Sequence, residues 1–476
     1  MGRDVIILLF LLLLNILLAF YQPLAMWIGI DECQYLLISK KMLEGWVPYR
    51  DIIENKPLGI YLALMPAVLL GGKDIVKLRL YPVLIAGITS FFIYLIGKKL
   101  GGQEAGLFAA GIFTFMNAFP GFYGYTMLTD PIANLLIAAL FYIILCLQIS
   151  YGRVVLCGVL FAAACSVRQT SVLMLVPAAF AFYTSERRVR WGKAISSFLL
   201  GVCVVFVPML LYLVLNSALS DAVYWTLVYS AEIGTYSFES KISNFTMVSI
   251  LFSPFILLAL FGLVKLNRAY RVVLLWLLSG IVIAQLGYSW WHNYLFVLPP
   301  LSIFAGRGVG NLFDFKDKAR GGTARVIAKA IFTFVIASVF ILLIFELKTM
   351  AELHPVPSWE DQKGIGDFIM SHTNEEDRIF AFGLNTDAYY LSDRDPATRK
   401  TIFGGEMCNA SKEGIDESVL WSLDANKPKY IVANFFHITN MCGNGSGFET
   451  AVRGYMNENY AYVNSWGPLE LYERRA

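Results

Sequence analysis

One stretch of this 476-residue chain gathers ionisable residues where its apolar surroundings make them costly. Asp31 and Glu32 follow an apolar run, and Tyr49, Asp51, Glu54 and Lys56 come after them in the same polar segment. Arg79 stands at the start of the next apolar run, Asp130 closes a later loop, and Arg168 interrupts a further apolar stretch. A carboxylate at a bilayer surface can take a proton from a hydroxyl, and neighbouring cations can stabilise a departing phosphate. Asp31 suits the first task, and Lys56, Arg79 and Arg168 suit the second. An isolated Asp-Glu pair could simply be solvated, and a lone interfacial Arg could simply snorkel. The combination points to a site, because ionisable groups embedded in membrane segments are functional candidates by default.

The elements that must position these residues are helices in lipid. The chain is 57% hydrophobic and 15% charged, with a mean hydropathy of +0.60. A soluble globular protein carries about 25% charged residues. The net charge of +3 gives no sign of a nucleic-acid partner. The N-terminal apolar run continues to Ile30 without a small-residue cleavage site, so it reads as an uncleaved first span. Spans are expected at 5–29, 78–97, 104–120, 131–150, 153–166, 169–183, 194–216, 246–265, 272–290, 293–313 and 326–348. The split between 153–166 and 169–183 falls at Ser166–Gln169, around Arg168.

One apolar piece, 58–72, is short for the roughly 20 residues that a spanning helix needs. Basic clusters at Lys98–Lys99, 186–190, 265–271 and 316–325 decide how it is read. All of them fall on the cytoplasmic side, as the positive-inside rule asks, if 58–72 is re-entrant or juxtamembrane. The N-terminus is then inside and the C-terminus outside. The expected class is a polytopic α-helical membrane protein of about 11–13 transmembrane helices, with a C-terminal extracytoplasmic α/β domain, multi-pass in the plasma (cell) membrane.

The division expected is 1–348 for the membrane domain and 349–476 for the soluble one. In the latter, 359–370 reads as a helix, 378–382 and 428–434 as strands, and 462–464 with 469–472 as a hairpin. Tyr35, Ile38, Met42 and Trp46 recur at helical spacing, which predicts an amphipathic helix in the headgroup plane. Glycosylation sequons at Asn244, Asn409 and Asn444 all fall outside, where an oxidising compartment would let Cys408 and Cys442 pair. No cysteine pair or Cys/His cluster has zinc-like spacing.

The first exterior segment, with Asp31-Glu32, Tyr35, Gly45-Trp46-Val47-Pro48-Tyr49-Arg50-Asp51 and Glu54-Asn55-Lys56-Pro57, resembles the membrane-embedded GT-C glycosyltransferases. It is most similar to the dolichyl-phosphate-mannose:protein mannosyltransferase and aminoarabinose lipid A transferase group. The likeness extends through Arg79, Leu128–Pro131, Ser166–Arg168, Trp291–Tyr294 and Pro299-Pro300, over about residues 25–310. It departs at Lys56-Pro57-Leu58 for the usual Lys-Pro-Pro, at Arg168 where Lys is common, and at Asn293, which interrupts a usual His-Tyr.

The resemblance implies an inverting transfer from a polyprenyl-phosphate sugar to a protein, glycan or lipid acceptor. Asp31 would be the base and Asp130 a second catalytic carboxylate. Glu32, Tyr49, Glu54, Lys56, Arg79, Arg168, His292 and Tyr294 would bind substrate. Some members of the group hold a divalent metal near these carboxylates; the sequence itself demands no cofactor. Two other readings stand beside this one: a transporter or flippase of lipid-linked sugars, and a ligase or polymerase of whole glycans. A transporter predicts charges near the bilayer midplane, whereas here they cluster at helix ends.

Overall fold

A computed structural model describes residues 2–21, 28–184, 190–232, 237–287, 290–318, 357–403, 415–435 and 447–475. The expected span at 326–348, the boundary near 348, Asn409, Asn444, Cys408 and Cys442 lie outside the described residues.

Helix α1 is Gly2–Tyr21, α2 is Ile30–Leu43, α3 is Gly59–Gly71 and α4 is Ile75–Asn117. Within α4 the backbone breaks at Gly102, whose φ of 91° suits a residue without Cβ. The two limbs fold back on each other, so that the Ser90 and Thr114 hydroxyls meet at 2.9 Å. They correspond to the expected spans 78–97 and 104–120. Then come α5 (Thr129–Cys146), α6 (Tyr151–Val167), a 3-10 turn at Gln169–Met174, α7 (Leu175–Tyr183) and α8 (Trp191–Leu215). Arg168 is extended (φ −145°, ψ 115°) and divides α6 from the 3-10 turn, at the expected position.

Short helices α9 (Leu219–Val223) and α10 (Ser230–Glu232) flank a π-helical turn. They precede α11 (Phe238–Leu251), α12 (Ser253–Gly262), α13 (Arg268–Gln285), a 3-10 turn at Trp291–Phe296 and α14 (Leu298–Lys318). Among the described residues five helices are long and apolar enough to cross a membrane, or six if a bent pair counts as one. That pair is α11 and α12, which meet at 78° where a single span over 246–265 is expected. Pro254, at the start of α12, has no N–H to continue the helix before it.

The helices alternate between two ends. At one end Asp4 accepts from Lys98 Nζ at 2.7 Å, Arg268 Nε donates to Thr184 at 2.8 Å, and Arg307 donates to the Lys265 carbonyl at 3.1 Å. At the other lie the polar loops that carry the candidate residues, with Arg50 donating to the Asn216 carbonyl at 3.1 Å.

The C-terminal region covers that second end. It contains α15 (Trp359–His372), β1 (Arg378–Phe382), α16 (Asp387–Ser392), β2 (Asp395–Pro396), α17 (Ile415–Asn426), β3 (Tyr430–Ala433), α18 (Gly447–Asn459), β4 (Tyr460–Trp466) and β5 (Leu469–Arg474). The sheet order is β2-β1-β3-β5-β4. β1 runs parallel to β2 and β3, and the terminal hairpin pairs antiparallel to β3. Strand alternation sorts the side chains: Ile379 and Ala381 join the core shared with the helical bundle, while Phe380 and Phe382 join a separate apolar core.

This covering overturns the expected surface placement of α2. Gln34, Leu36, Leu37, Ile38, Ser39 and Lys41 are all buried. Thr401 donates to Gln34 at 2.8 Å, and Lys40 and Lys41 pair with Asp393 and Asp395. Trp46 lies beyond the end of the helix. Local periodicity reports one apolar face; it carries no record of a domain folded some 350 residues later onto the other face.

The same domain explains α3. Tyr390 Oη donates to the Gly72 carbonyl at 2.6 Å, just past one end of α3. Before its other end, Ile53 N donates to the Arg399 carbonyl at 2.8 Å, and Arg399 donates to the Tyr49 carbonyl at 2.9 Å. Thirteen helical residues cover about 20 Å against a hydrocarbon core of about 30 Å. Both flanks of this short helix are tied to one domain.

Candidate active site

The N-terminus of α2 carries Asp31 and Glu32 to opposite fates. Glu32 is buried and takes the Arg79 guanidinium, with Nη2 at 3.0 Å from Oε2. Its carboxylate also accepts Met127 N at 2.7 Å and Gly29 N at 2.9 Å. Arg79 is 2% exposed, so this cation faces Glu32 within the protein. Asp31 is exposed and bonds to no described residue. Its charge acts on Tyr35, Tyr123 and His292.

A second cluster forms where α5 begins and α6 ends. Asp130, in the first turn of α5, is buried and pairs with Arg168. Arg168 also donates to Thr129 Oγ1 at 3.1 Å, Asn293 Oδ1 at 2.7 Å and Thr170 Oγ1 at 3.2 Å. Phe296 lies under its guanidinium, 5.5 Å from the ring centroid. A planar fork with five N–H donors needs several acceptors. That need was the available clue to Asn293 and Thr129, which the sequence reading did not single out as site residues.

Lys56 is half-buried, and its Nζ donates to Asn55 Oδ1 at 2.8 Å. Its backbone is fixed by two phenols: Tyr49 Oη donates to the Lys56 carbonyl at 2.7 Å and Tyr61 Oη at 3.3 Å. Tyr49 itself holds φ of 72°, in the left-handed region, with its N–H on the Ile52 carbonyl at 2.8 Å. Among the described residues no carboxylate forms an ion pair with Lys56. Glu54 is half-buried nearby, and its field reaches Tyr35, Tyr49 and Tyr61.

His292 links the clusters electrostatically. Burial holds its imidazole below the usual pKa. Asp130 opposes that shift, Arg168 adds to it, and Asp31 and Lys56 act in opposite senses. Tyr294, by contrast, accepts Gln285 Nε2 at 2.7 Å on α13 and is buried away from the charges. The structure thus gathers Asp31, Lys56, Asp130, Arg168 and His292 at one bundle end. It commits Glu32 and Arg79 to each other.

Gly59 makes this juxtaposition possible. A Cβ there would stand 2.3 Å from Ser166 Oγ and 2.5 Å from the Ser166 carbonyl oxygen. The start of α3, three residues after Lys56, therefore abuts the end of α6, two residues before Arg168. Gly59→Ala is expected to force these elements apart and cost about 1–3 kcal/mol, as overpacked sites do. Thermal unfolding in detergent should show the loss; an unchanged melting temperature would mean that the contact is looser than described.

Among the described residues, no three of His, Cys, Asp and Glu converge to hold a metal ion. Glu32 and Asp130 are each engaged by an arginine. The described residues do not form a metal cage.

Residues 55–212 match the family model described as dolichyl-phosphate-mannose-protein mannosyltransferase. Over the whole chain, the crystal structure of ArnT from Cupriavidus metallidurans bound to undecaprenyl phosphate superposes with a TM-score of 0.69 at 12% identity, covering 100% of this chain and 98% of that one. The chain has the GT-C fold. The archaeal oligosaccharyltransferase AglB of Archaeoglobus fulgidus, in complex with an inhibitory peptide and a dolichol-phosphate, gives 0.58 at 10% identity, covering 99% and 74%. The Archaeoglobus fulgidus oligosaccharyltransferase with Zn and sulfate gives 0.57 at 10%, covering 98% and 73%. No curated protein sequence matches the chain significantly. The GT-C architecture and the partial family match together support a glycosyltransferase embedded in a membrane.

Proposed function

We propose that this GT-C protein moves a sugar from a polyprenyl phosphate to a hydroxyl acceptor at the outer face of the plasma membrane, with inversion at the anomeric carbon. The observation that carries the reading is that the exposed carboxylate Asp31 and the half-buried cations Lys56 and Arg168 all act on one imidazole, His292, at the covered end of the bundle. The bound undecaprenyl phosphate of the ArnT structure and the dolichol-phosphate of the AglB complex support a lipid-phosphate donor. The C-terminal domain shares the end that bears the site, and the basic loops Lys98–Lys99 and 265–271 lie at the other. With those loops cytoplasmic, the domain is extracytoplasmic.

In a single displacement, the acceptor hydroxyl oxygen forms a bond to the anomeric carbon while its proton passes to the Asp31 carboxylate. The bond from that carbon to the phosphate oxygen breaks, and its electron pair leaves with the polyprenyl phosphate. Lys56 and Arg168 stabilise that anion. Arg168 arrives oriented by Asp130, Thr129 and Asn293. Arg79 keeps Glu32, and so the first turn of α2, in place. Asp31, being exposed, returns its proton to solvent.

The test is transfer by the purified chain with a panel of radiolabelled polyprenyl-phosphate sugars. Lys56→Ala should slow transfer by about 10²- to 10³-fold, the loss typical of one preorganised donor to a developing anion. Wild-type turnover in both Lys56→Ala and Arg168→Ala would remove the phosphate site. Movement of intact lipid-linked sugar across vesicles without transfer would favour a flippase instead.

A further inference from the structure

Beside the carboxylate site lies a cavity of about 680 Å³, lined by residues from three separate segments. Gly121 and Tyr123 form one wall, and Trp290, Trp291 and His292 form a second. Glu239, Ser240, Ser243 and Asn244 of α11 form the third. The 78° bend between α11 and α12 gives α11 its separate course. Trp291 is fixed by stacking on Phe119 at 6.3 Å. It also lies against Gly121, where a Cβ would meet the indole at 2.6 Å. Trp290 is 52% exposed. His292 and Tyr123 meet edge to face at 6.2 Å, and both feel the charge of Asp31.

We infer that this cavity is the acceptor subsite and that it takes a saccharide, so the acceptor is a glycan whose hydroxyl is presented to Asp31. The inference rests on the transfer reading above and adds the chemical class of the acceptor. A pyranose has an apolar C–H face and a rim of hydroxyls. The two indoles offer flat apolar surface, and Glu239 with Ser243 offers acceptors and a donor for the rim. The volume lies within the roughly 300–1,000 Å³ of small-molecule pockets. Among the described residues no Lys or Arg lines the cavity, so the described lining offers a phosphate no cation. That separates this cavity from the donor's place beside Lys56 and Arg168. An extended peptide would need main-chain partners, and the lining side chains come mainly from indoles and one polar helix face.

The experiment is saturation-transfer NMR on the full chain in lipid nanodiscs, with methyl α-mannoside, methyl α-glucoside and N-acetylglucosamine as separate probes. A Gly-Thr-Gly amide serves as the peptide comparator. Undecaprenyl phosphate binding is measured in the same samples. At least one sugar should receive saturation on its ring C–H protons, and the peptide should not. Trp291→Ala should weaken sugar binding roughly two- to tenfold, the range for loss of one aromatic stack. Because Trp291 is packed on Phe119, the more exposed changes Trp290→Ala and Glu239→Gln repeat the test away from the core. Each should weaken the sugar and leave lipid binding intact. A sugar signal unchanged in all three variants overturns the subsite. Peptide binding with no sugar binding overturns it in favour of a protein acceptor. Lipid binding without any sugar binding overturns the subsite alone, whereas failure of both also removes the transfer reading.

Discussion

Asp31→Asn should lower the transfer rate about 10²- to 10⁴-fold, the range for loss of a positioned general base. The change keeps the shape of the side chain and removes its basicity. Its cost to folding should be small, because Asp31 is exposed and bonds to no described residue. Binding of polyprenyl phosphate should survive, since the proposed mechanism gives the anion to Lys56 and Arg168. Single-turnover transfer with a radiolabelled donor, beside a separate lipid-binding measurement, separates the two effects. Asp130→Asn is the comparison. It leaves Arg168 without its carboxylate, with Thr129, Asn293 and Thr170 still in place, and should lower activity less than Asp31→Asn. An Asp31→Asn chain with full activity would remove the centre of the proposed mechanism.

Arg79→Ala should produce the largest loss of stability, about 3–5 kcal/mol, because it strands a buried carboxylate. Glu32 holds Gly29 N at 2.9 Å and Met127 N at 2.7 Å. The entry to α2 and the loop before α5 would therefore loosen together, and activity should fall with them. Arg79→Lys should rescue little, since an ammonium cannot reproduce the two-pronged contact. The double change Arg79→Met with Glu32→Met removes both charges and should recover most of the thermal stability. Melting in detergent checks all three. If Arg79→Ala melts like its parent, the pair bears no structural weight, and a direct phosphate contact for Arg79 returns to consideration.

Arg79 also shows where sequence reading stops. Its cost in an apolar run was legible, as was its company with Asp31, Glu32, Lys56 and Arg168. Whether such a charge meets a substrate or another residue depends on which carboxylate the fold delivers to it, and Glu32 lies 47 positions away. The helices were legible because lipid imposes long apolar runs. The break at Arg168 and the strands 378–382 and 430–433 were legible from local pattern. Three things were not. The burial of α2 depends on Thr401, Asp393 and Asp395 arriving from another domain. The sharp bend before α12 leaves no gap in hydropathy. Asn293 reaches Arg168 only through a tertiary contact.

The hydrogen bonds from Gln362, Thr386, Arg399 and Thr401 to the segment 28–53 carry a consequence for biosynthesis. Gln362 brackets Ile28, its amide nitrogen donating to the Ile28 carbonyl at 3.1 Å and its oxygen accepting Ile28 N at 3.3 Å. Thr386 donates to the Ile30 carbonyl at 3.2 Å. Contacts this distant in sequence cannot form until their far partners have left the ribosome, and closing such long loops is slow. The segment that bears Asp31 emerges before the domain that clamps it and acquires its final surroundings late. A nascent chain arrested before β1 would carry most of the helices of the bundle yet hold its acidic segment unclamped.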